Sequence, residues 1–126
     1  MTISSQWEHV SFHDAIVREQ VMDRSEARLT LQGVYLLPAH PMNTAGKLYL
    51  ITHAVLLFVL PVAVGCRAFS SEGGAWIEQV EPFPVINTIA DVTHRGEEWQ
   101  ISGFERNGPH WLELTVKIGQ SVVLFI

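Results

Sequence analysis

Hydrophobic and polar residues alternate with a period of two along much of this chain. That period is typical of β-strands that bury one face, because successive side chains of a strand point to opposite sides. The clearest case is the segment Trp111 to Ile118, whose apolar positions are Leu112, Leu114, Val116 and Ile118. The positions between them are Trp111, Glu113, Thr115 and Lys117. We therefore predict a strand with one buried and one largely solvated face.

Two segments near the start follow the same period. From Val10 to Met22 the alternation is imperfect and places His13, Val17, Glu19 and Val21 on one face. From Ala27 to Leu37 it is regular, with Leu29, Leu31, Gly33 and Tyr35 on one face. Both segments are interpreted as strands, and the polar residues 23–26 between them predict a turn.

The stretch Leu48 to Val64 is strongly apolar, and Lys47 to Leu60 is apolar on both faces. It contains His53 and Pro61 and is shorter than the ~20 residues that a membrane-spanning helix needs. Its Val, Ile, Phe and Tyr content favours buried strands, although a buried helix is a competing interpretation that the pattern leaves open. We expect no membrane span here, a central strand covered on both sides and a buried His53 within it.

Residues 98–118 predict a β-hairpin. The dipeptide Asn107-Gly108 is a strong signal for a tight turn, and it stands between two alternating segments. Glu98 to Arg106 places Trp99, Ile101 and Gly103 on one face.

Turn signals recur about every ten residues, including the loops 38–46 and 70–74, which is the spacing found in sandwiches and barrels. The length of 126 residues is that of a single domain, here 1–126. We predict a mainly β fold of about seven to nine antiparallel strands with little helix. Its expected architecture is a two-layer sandwich or a partly open barrel.

Composition and charge narrow the function classes. Hydrophobic residues make up 48% of the chain and charged residues 17%, which is a globular composition. The net charge is -5 and Lys47 and Lys117 are the only lysines, so nucleic-acid binding is disfavoured. The acidic excess suits solubility and also suits a basic protein partner. No signal peptide is visible, so we expect a cytoplasmic protein.

His9, His13 and Asp14 form the densest group of titratable residues and are the candidate functional cluster. On a helix the two histidines would share a face and could bind a metal, but the strand pattern that follows them removes that geometry. Asp14 at a strand start more often accepts hydrogen bonds from backbone amides in a turn. We therefore predict neither a metal nor a cofactor.

No arrangement of residues in the sequence spells out a catalytic motif. The single Cys66 is followed by Arg67, which could lower the pKa of the thiol, but a buried free cysteine is the commoner case. The sequence therefore favours a protein that is not an enzyme.

Four tryptophans are many for this length, and two of them flank the predicted hairpin. Trp99 and Trp111 are expected to oppose each other across it. Together with His110 they form the candidate interaction surface, if they are exposed. Core packing is the competing role and is the one that the sequence favours.

Two groups of short motifs resemble a broad group of small bacterial proteins, which includes uncharacterised domains and the immunity proteins of polymorphic toxin systems. The opening group comprises Trp7, Phe12-His13-Asp14-Ala15 and Leu29-Thr30-Leu31. The closing group comprises Gly103-Phe104, Trp111-Leu112-Glu113-Leu114 and Val122-Val123-Leu124-Phe125. The resemblance implies a β-rich, non-enzymatic protein, and for its immunity-like members a role in binding and blocking a cognate toxin.

Three functional hypotheses remain open. The first is a cytoplasmic binding protein that acts on a protein partner and is immunity-like. The second is a small-molecule binder or enzyme with a cavity between sheets, onto which polar groups such as His13, Asp14, His53 or His94 converge. The third is a structural homo-oligomer, in its simplest form a homodimer joined through sheet edges.

Overall fold

A computed structural model describes residues 1–23, 25–70 and 73–126. The described residues form thirteen β-strands, one 3₁₀ turn at Trp7–His9 and no α-helix. The strands are β1 (Thr2–Ile3), β2 (Val10–Ser11), β3 (Ile16–Met22), β4 (Ala27–Gln32), β5 (Val34–Leu36), β6 (Tyr49–Ile51), β7 (Ala54–Val59), β8 (Ala63–Ser70), β9 (Ala75–Glu78), β10 (Ile86–Arg95), β11 (Glu98–Glu105), β12 (Trp111–Lys117) and β13 (Ser121–Phe125). The predicted turns 23–26 and 70–74 contain the three residues that lie outside the described ranges.

All strand pairs are antiparallel, so the prediction of a mainly β, antiparallel fold is confirmed. Ten strands form one sheet in the order β1-β13-β7-β4-β3-β10-β11-β12-β8-β9, and three form a second in the order β2-β5-β6. The large sheet ends at β1 and β9 and is not closed into a barrel.

The predicted number of seven to nine strands was too low, because several strands are too short to show alternation. The segment Ala27 to Leu37, predicted as one strand, forms two strands. Gly33 has φ +90°, a conformation that favours glycine, and turns the chain from β4 in the large sheet to β5 in the small one. The buried residues therefore change from Leu29 and Leu31 before the glycine to Val34 and Leu36 after it.

The apolar middle of the chain is made of strands, so the strand interpretation is confirmed over the helix. The prediction of one central strand covered on both sides was wrong, because the segment divides into β6 and β7 in different sheets. Ala54, Leu56 and Phe58 of β7 are buried, whereas the side chains between them are only half-buried. His53 was wrongly predicted to lie in the core, since it is exposed in the bend that separates β6 from β7. No helix among the described residues is long and apolar enough to cross a membrane.

The side chains of β3 do not all lie on the faces that the alternation in its sequence predicts. Its pairing with β4 shifts between Val17 and Glu19, so Arg18 is an additional residue on this strand. Val17 and Met22 are buried, whereas Glu19 is exposed and Val21 half-buried. The imperfect alternation in the sequence is therefore the trace of a β-bulge.

Two further register shifts fall on β10, which joins the halves of the large sheet through β3. They lie between Ile86 and Thr88 and between Ile89 and Asp91. Bulges bend a strand and increase its twist, so the sheet curves at this junction. A Cβ on Gly103 of β11 would lie 2.2 Å from the carbonyl oxygen of Thr88, and therefore only glycine permits this close approach.

The predicted hairpin is formed by β11 and β12, but its loop is longer than Asn107-Gly108. The closing pair is Glu105 and His110, because the amide of Glu105 donates to the carbonyl of His110 at 2.9 Å. Pro109 has no N–H and cannot close a two-residue turn opposite Arg106. The amide of Arg106 donates to Val85 instead, at 2.8 Å.

The large sheet folds over itself around Trp99. Phe58 on β7 and Trp99 on β11 are separated by three strands in the sheet order, yet their ring centroids lie 5.5 Å apart. Trp7 in the 3₁₀ turn packs edge-on against the same indole at 5.1 Å. The buried residues of both halves therefore form one core with Trp99 between them.

Replacing Phe58 by alanine is expected to lower the free energy of unfolding by about 3–5 kcal/mol, because it opens a cavity at the contact between the two halves. Equilibrium unfolding in urea measures this. The matched control is Phe104→Ala, which truncates a side chain that is 62% exposed and should cost less than about 1 kcal/mol. Equal losses at both positions would contradict the central place of Phe58.

Candidate functional site

A row of aromatic side chains crosses the outer face of four neighbouring strands. In the register of β11, β12, β8 and β9, Phe104 pairs with Trp111, Trp111 with Phe69, and Phe69 with Trp76. The ring centroids of Phe104 and Trp111 lie 5.1 Å apart, and those of Phe69 and Trp76 lie 5.3 Å apart. Phe104 is 62% and Trp76 41% exposed, so both ends of this aromatic row reach the surface.

An ion pair lies beside the aromatic row, two residues away along each strand and on the same face. Glu113 on β12 pairs in register with Arg67 on β8, and Arg67 pairs with Glu78 on β9. Arg67 Nε donates to Glu113 Oε1 at 2.6 Å, and the guanidinium lies 4.0 Å from the ring centroid of Trp76. The hydrogen bond to Glu113, followed by the charges of Glu113 and Glu78, raises the pKa of Arg67.

Glu113 is a buried carboxylate on an outer face. Only 8% of the residue is exposed, although the sequence predicted this side of β12 to be largely solvated. Trp111 and Thr115, which flank it on the same face, are half-buried as well. The prediction was wrong because cross-strand neighbours, Arg67 among them, cover this side of the strand. The alternation within one strand does not show which residues lie beside it.

The ion pair borders a depression of about 250 Å³ in the outer face. Its polar lining side chains are Arg67, Glu78, Glu98, Gln100, Glu113 and Thr115. A second, open depression of about 460 Å³ continues from Glu98 and Gln100 towards Arg95. The aromatic row and these depressions together form one surface, which can contact apolar groups at one margin and polar groups at the other.

The structure separates the residues of the predicted interaction surface. Trp99 is 2% exposed and faces the core. It pairs in register with Val116, which is also buried, and not with Trp111. Trp111 lies in the aromatic row on the opposite face. His110 follows the hairpin loop, where its Nδ1 lies 3.0 Å from Glu105 Oε2. Sequence reasoning missed Phe69, Trp76 and Phe104, since their alignment depends on strand register.

The predicted cluster of His9, His13 and Asp14 is only partly assembled. His13 Nε2 lies 3.5 Å from Asp14 Oδ2, whereas His9 Nε2 contacts Glu8 Oε1 at 3.7 Å. His13 Nδ1 lies 2.7 Å from the carbonyl oxygen of Ala90, at the second register shift of β10. In the described ranges, no group of three or more His, Cys, Asp or Glu side chains is arranged to hold a metal ion.

The buried histidine of this protein is His40, which is 3% exposed. Its Nδ1 accepts a hydrogen bond from the amide of Met42 at 3.0 Å, so the proton resides on Nε2, which faces the Ser5 carbonyl at 3.4 Å. His40 therefore links the loop after β5 to the segment after β1 and has a structural role.

Cys66 is unsuited to nucleophilic chemistry. It is 2% exposed on the inner face of β8, and burial raises the pKa of its thiol to about 11, with the charges of Glu78 and Glu105 adding to the effect. The thiol is therefore protonated at neutral pH, and the neighbouring Arg67 does not activate it because it points to the other face of the strand.

Comparisons with known proteins gave no match, whether to a family model, to a curated protein or to a solved structure.

The structure predicts that His13 titrates above its ordinary pKa of 6.5, since the Ala90 carbonyl and then the charge of Asp14 favour the imidazolium. The stabilisation from this contact is complete below pH 6.5 and is lost as the pH rises through the raised pKa. An NMR titration of the histidine ring protons measures it. Asp14→Asn should lower the pKa of His13, and a pKa at or below 6.5 in the unmodified protein would contradict the geometry.

Arg67 and Glu113 are expected to stabilise each other by about 1 kcal/mol, more than most surface ion pairs, because Glu113 is buried while Arg67 remains partly solvated. A double-mutant cycle with Arg67→Met and Glu113→Gln measures the coupling by urea unfolding. Arg28→Met with Glu19→Gln is the control cycle, since that pair is 3.0 Å apart but its carboxylate is 56% exposed. A coupling no larger than the control would contradict the expectation.

Proposed function

We propose that this protein is a binding protein that engages a protein partner through the outer face of β11, β12, β8 and β9. The observation that carries the proposal is the aromatic row, in which Phe104 and Trp76 stay exposed beside two half-buried rings. Tryptophan, other aromatic residues and arginine are enriched at protein interfaces, and they supply much of the binding energy there. Trp76, Trp111 and Arg67 bring these residue types together.

A protein partner is supported over a small ligand held between the sheets. The space where the two halves meet is filled by Phe58, Trp99 and Trp7. The depressions on the outer face are partly open to solvent and lined mainly by polar side chains, whereas small-molecule sites are mostly apolar and bury most of the ligand surface. His13 and His94, which the cavity hypothesis would bring together, lie on exposed parts of separate elements.

An immunity-like role is the form of this function that we favour. It agrees with the resemblance of the terminal segments to immunity proteins and with the net charge of -5, which suits a basic partner. In this role the protein covers and inactivates a toxin, and it needs no catalytic group of its own. The partner is then expected to be toxic when expressed alone and harmless when the two proteins are coexpressed.

Photo-cross-linking tests the binding face. With p-benzoylphenylalanine at position 104, cells that express the protein should give one discrete adduct with a heterologous protein, which mass spectrometry identifies. The purified partner should then bind the Trp111→Ala variant at least about thirtyfold more weakly, as expected for an interface hot spot.

The matched control carries the same photo-cross-linker at position 125. Phe125 is 43% exposed on the other half of the sheet, on a face that lacks the aromatic row. Adducts from position 125 alone, or a partner whose affinity is unchanged by Trp111→Ala, would contradict the proposal. An adduct between two copies of the chain would favour the homodimer instead.

A further inference from the structure

Carboxylates outnumber cations around the depression beside the ion pair. Glu78, Glu98 and Glu113 line it, with Arg67 as the one positively charged lining residue. Across the described parts of the chain, neither Glu78 nor Glu98 has a cationic nitrogen within 4.0 Å. Among the lining side chains carboxylates therefore outnumber cations by three to one, while Arg95 and Lys117 stand opposite Glu98 on the two neighbouring strands without lining the depression.

Glu113 has an unused hydrogen-bond acceptor at the floor of this depression. Its Oε1 is taken by Arg67, but its Oε2 accepts from no described residue. No fully buried side-chain oxygen or nitrogen of the described residues lacks a partner, so Oε2 still reaches the surface. Only 8% of Glu113 is exposed, so an added donor that reaches Oε2 would pair with a carboxylate that is largely surrounded by protein.

Arg67 itself demonstrates which chemistry fits this surface. Its guanidinium lies over the ring of Trp76 and donates to a carboxylate, so one cation satisfies the aromatic row and the acidic row together. Trp111 and the free oxygen of Glu113 provide a second aromatic ring and a second carboxylate acceptor on the same outer face. They are two residues apart on one strand and point to the same face.

We propose that the depression receives a basic side chain, arginine or lysine, from the protein partner. This inference rests on the proposed function and specifies the chemistry of its central contact. The cation of the partner lies among Glu78, Glu98 and Glu113, while the apolar stem and its neighbours pack on the aromatic row.

The shape of the aromatic row disfavours a flat neutral ligand such as a sugar. The planes of Phe104 and Trp111 are 89° apart, and those of Phe69 and Trp76 are 53° apart. Rings so inclined offer no common plane on which sugar rings could stack. Their edges and faces instead form walls against which a narrow, flexible side chain fits.

NMR titration of the ¹⁵N-labelled protein tests the inference with N-acetyl-arginine amide as the probe. We expect millimolar binding, with shift changes concentrated at the amides of residues that line the depression. N-acetyl-citrulline amide has nearly the same shape without the charge, and it should bind at least about fivefold more weakly. Shift changes spread over the whole surface, or equal binding of the two probes, would overturn the inference.

Charge variants locate the site. Glu98→Gln should weaken binding of the arginine probe about two- to fivefold. The control Glu97→Gln changes the net charge equally, but at an exposed turn residue, and should leave the affinity for the probe unchanged. Glu113→Gln should also weaken it, but the loss of the buried ion pair makes Glu98→Gln the decisive variant. Equal effects of Glu97→Gln and Glu98→Gln would overturn the inference, as would shifts at the same amides from a neutral disaccharide but not from the arginine probe.

The two proposals fail differently. A partner that cross-links at position 104 and binds Glu98→Gln as tightly as the unmodified protein would overturn the basic contact and leave the proposed function standing. Localised binding of the arginine probe without any heterologous adduct at position 104 would leave the basic site standing and overturn the proposed function.

Discussion

The contact between Trp99 and Phe58 is the constraint on which the rest of this structure depends. A ten-stranded open sheet buries one face against another layer or by curving until its two halves meet. Here the register shifts on β3 and β10 supply the curvature, and the two rings meet where the halves come together. Trp7 completes the contact from the 3₁₀ turn, which ties the start of the chain to the same core.

The candidate site is a consequence of how the inner face is filled. Because Trp99, Ile101 and Gly103 of β11 face the core, the alternation of the strand places Gln100, Ser102 and Phe104 outward. The same holds for β12, whose leucines lie inside and whose Trp111 and Glu113 lie on the other face. One pair of strands therefore supplies both the centre of the core and the centre of the outer surface.

The outer surface is held in place by electrostatics as well as by packing. Arg67 bridges Trp76 on the edge strand and Glu113 on an interior strand, so the ion pair helps to orient one end of the aromatic row. An ordered arrangement of large side chains lowers the entropy lost when a partner binds. This is the physical reason why, under the proposed function, a partly solvated arginine would contribute to recognition even though its contribution to stability is modest.

The sequence by itself determined the class of structure and the orientation of its best strands. The period of two assigns Trp99, Ile101 and Gly103 to a buried face, and the β-branched residues of the apolar middle favour strands over a helix there, because both effects are local. Only the tertiary structure decided which strands are neighbours. The bulge at Arg18, the break at Gly33 and the alignment of Phe69, Trp76 and Phe104 with Trp111 all depend on register between segments that are distant along the chain. Burial of Glu113 and exposure of His53 follow from the same cause, since the neighbours that cover a side chain are set by pairing and not by sequence proximity.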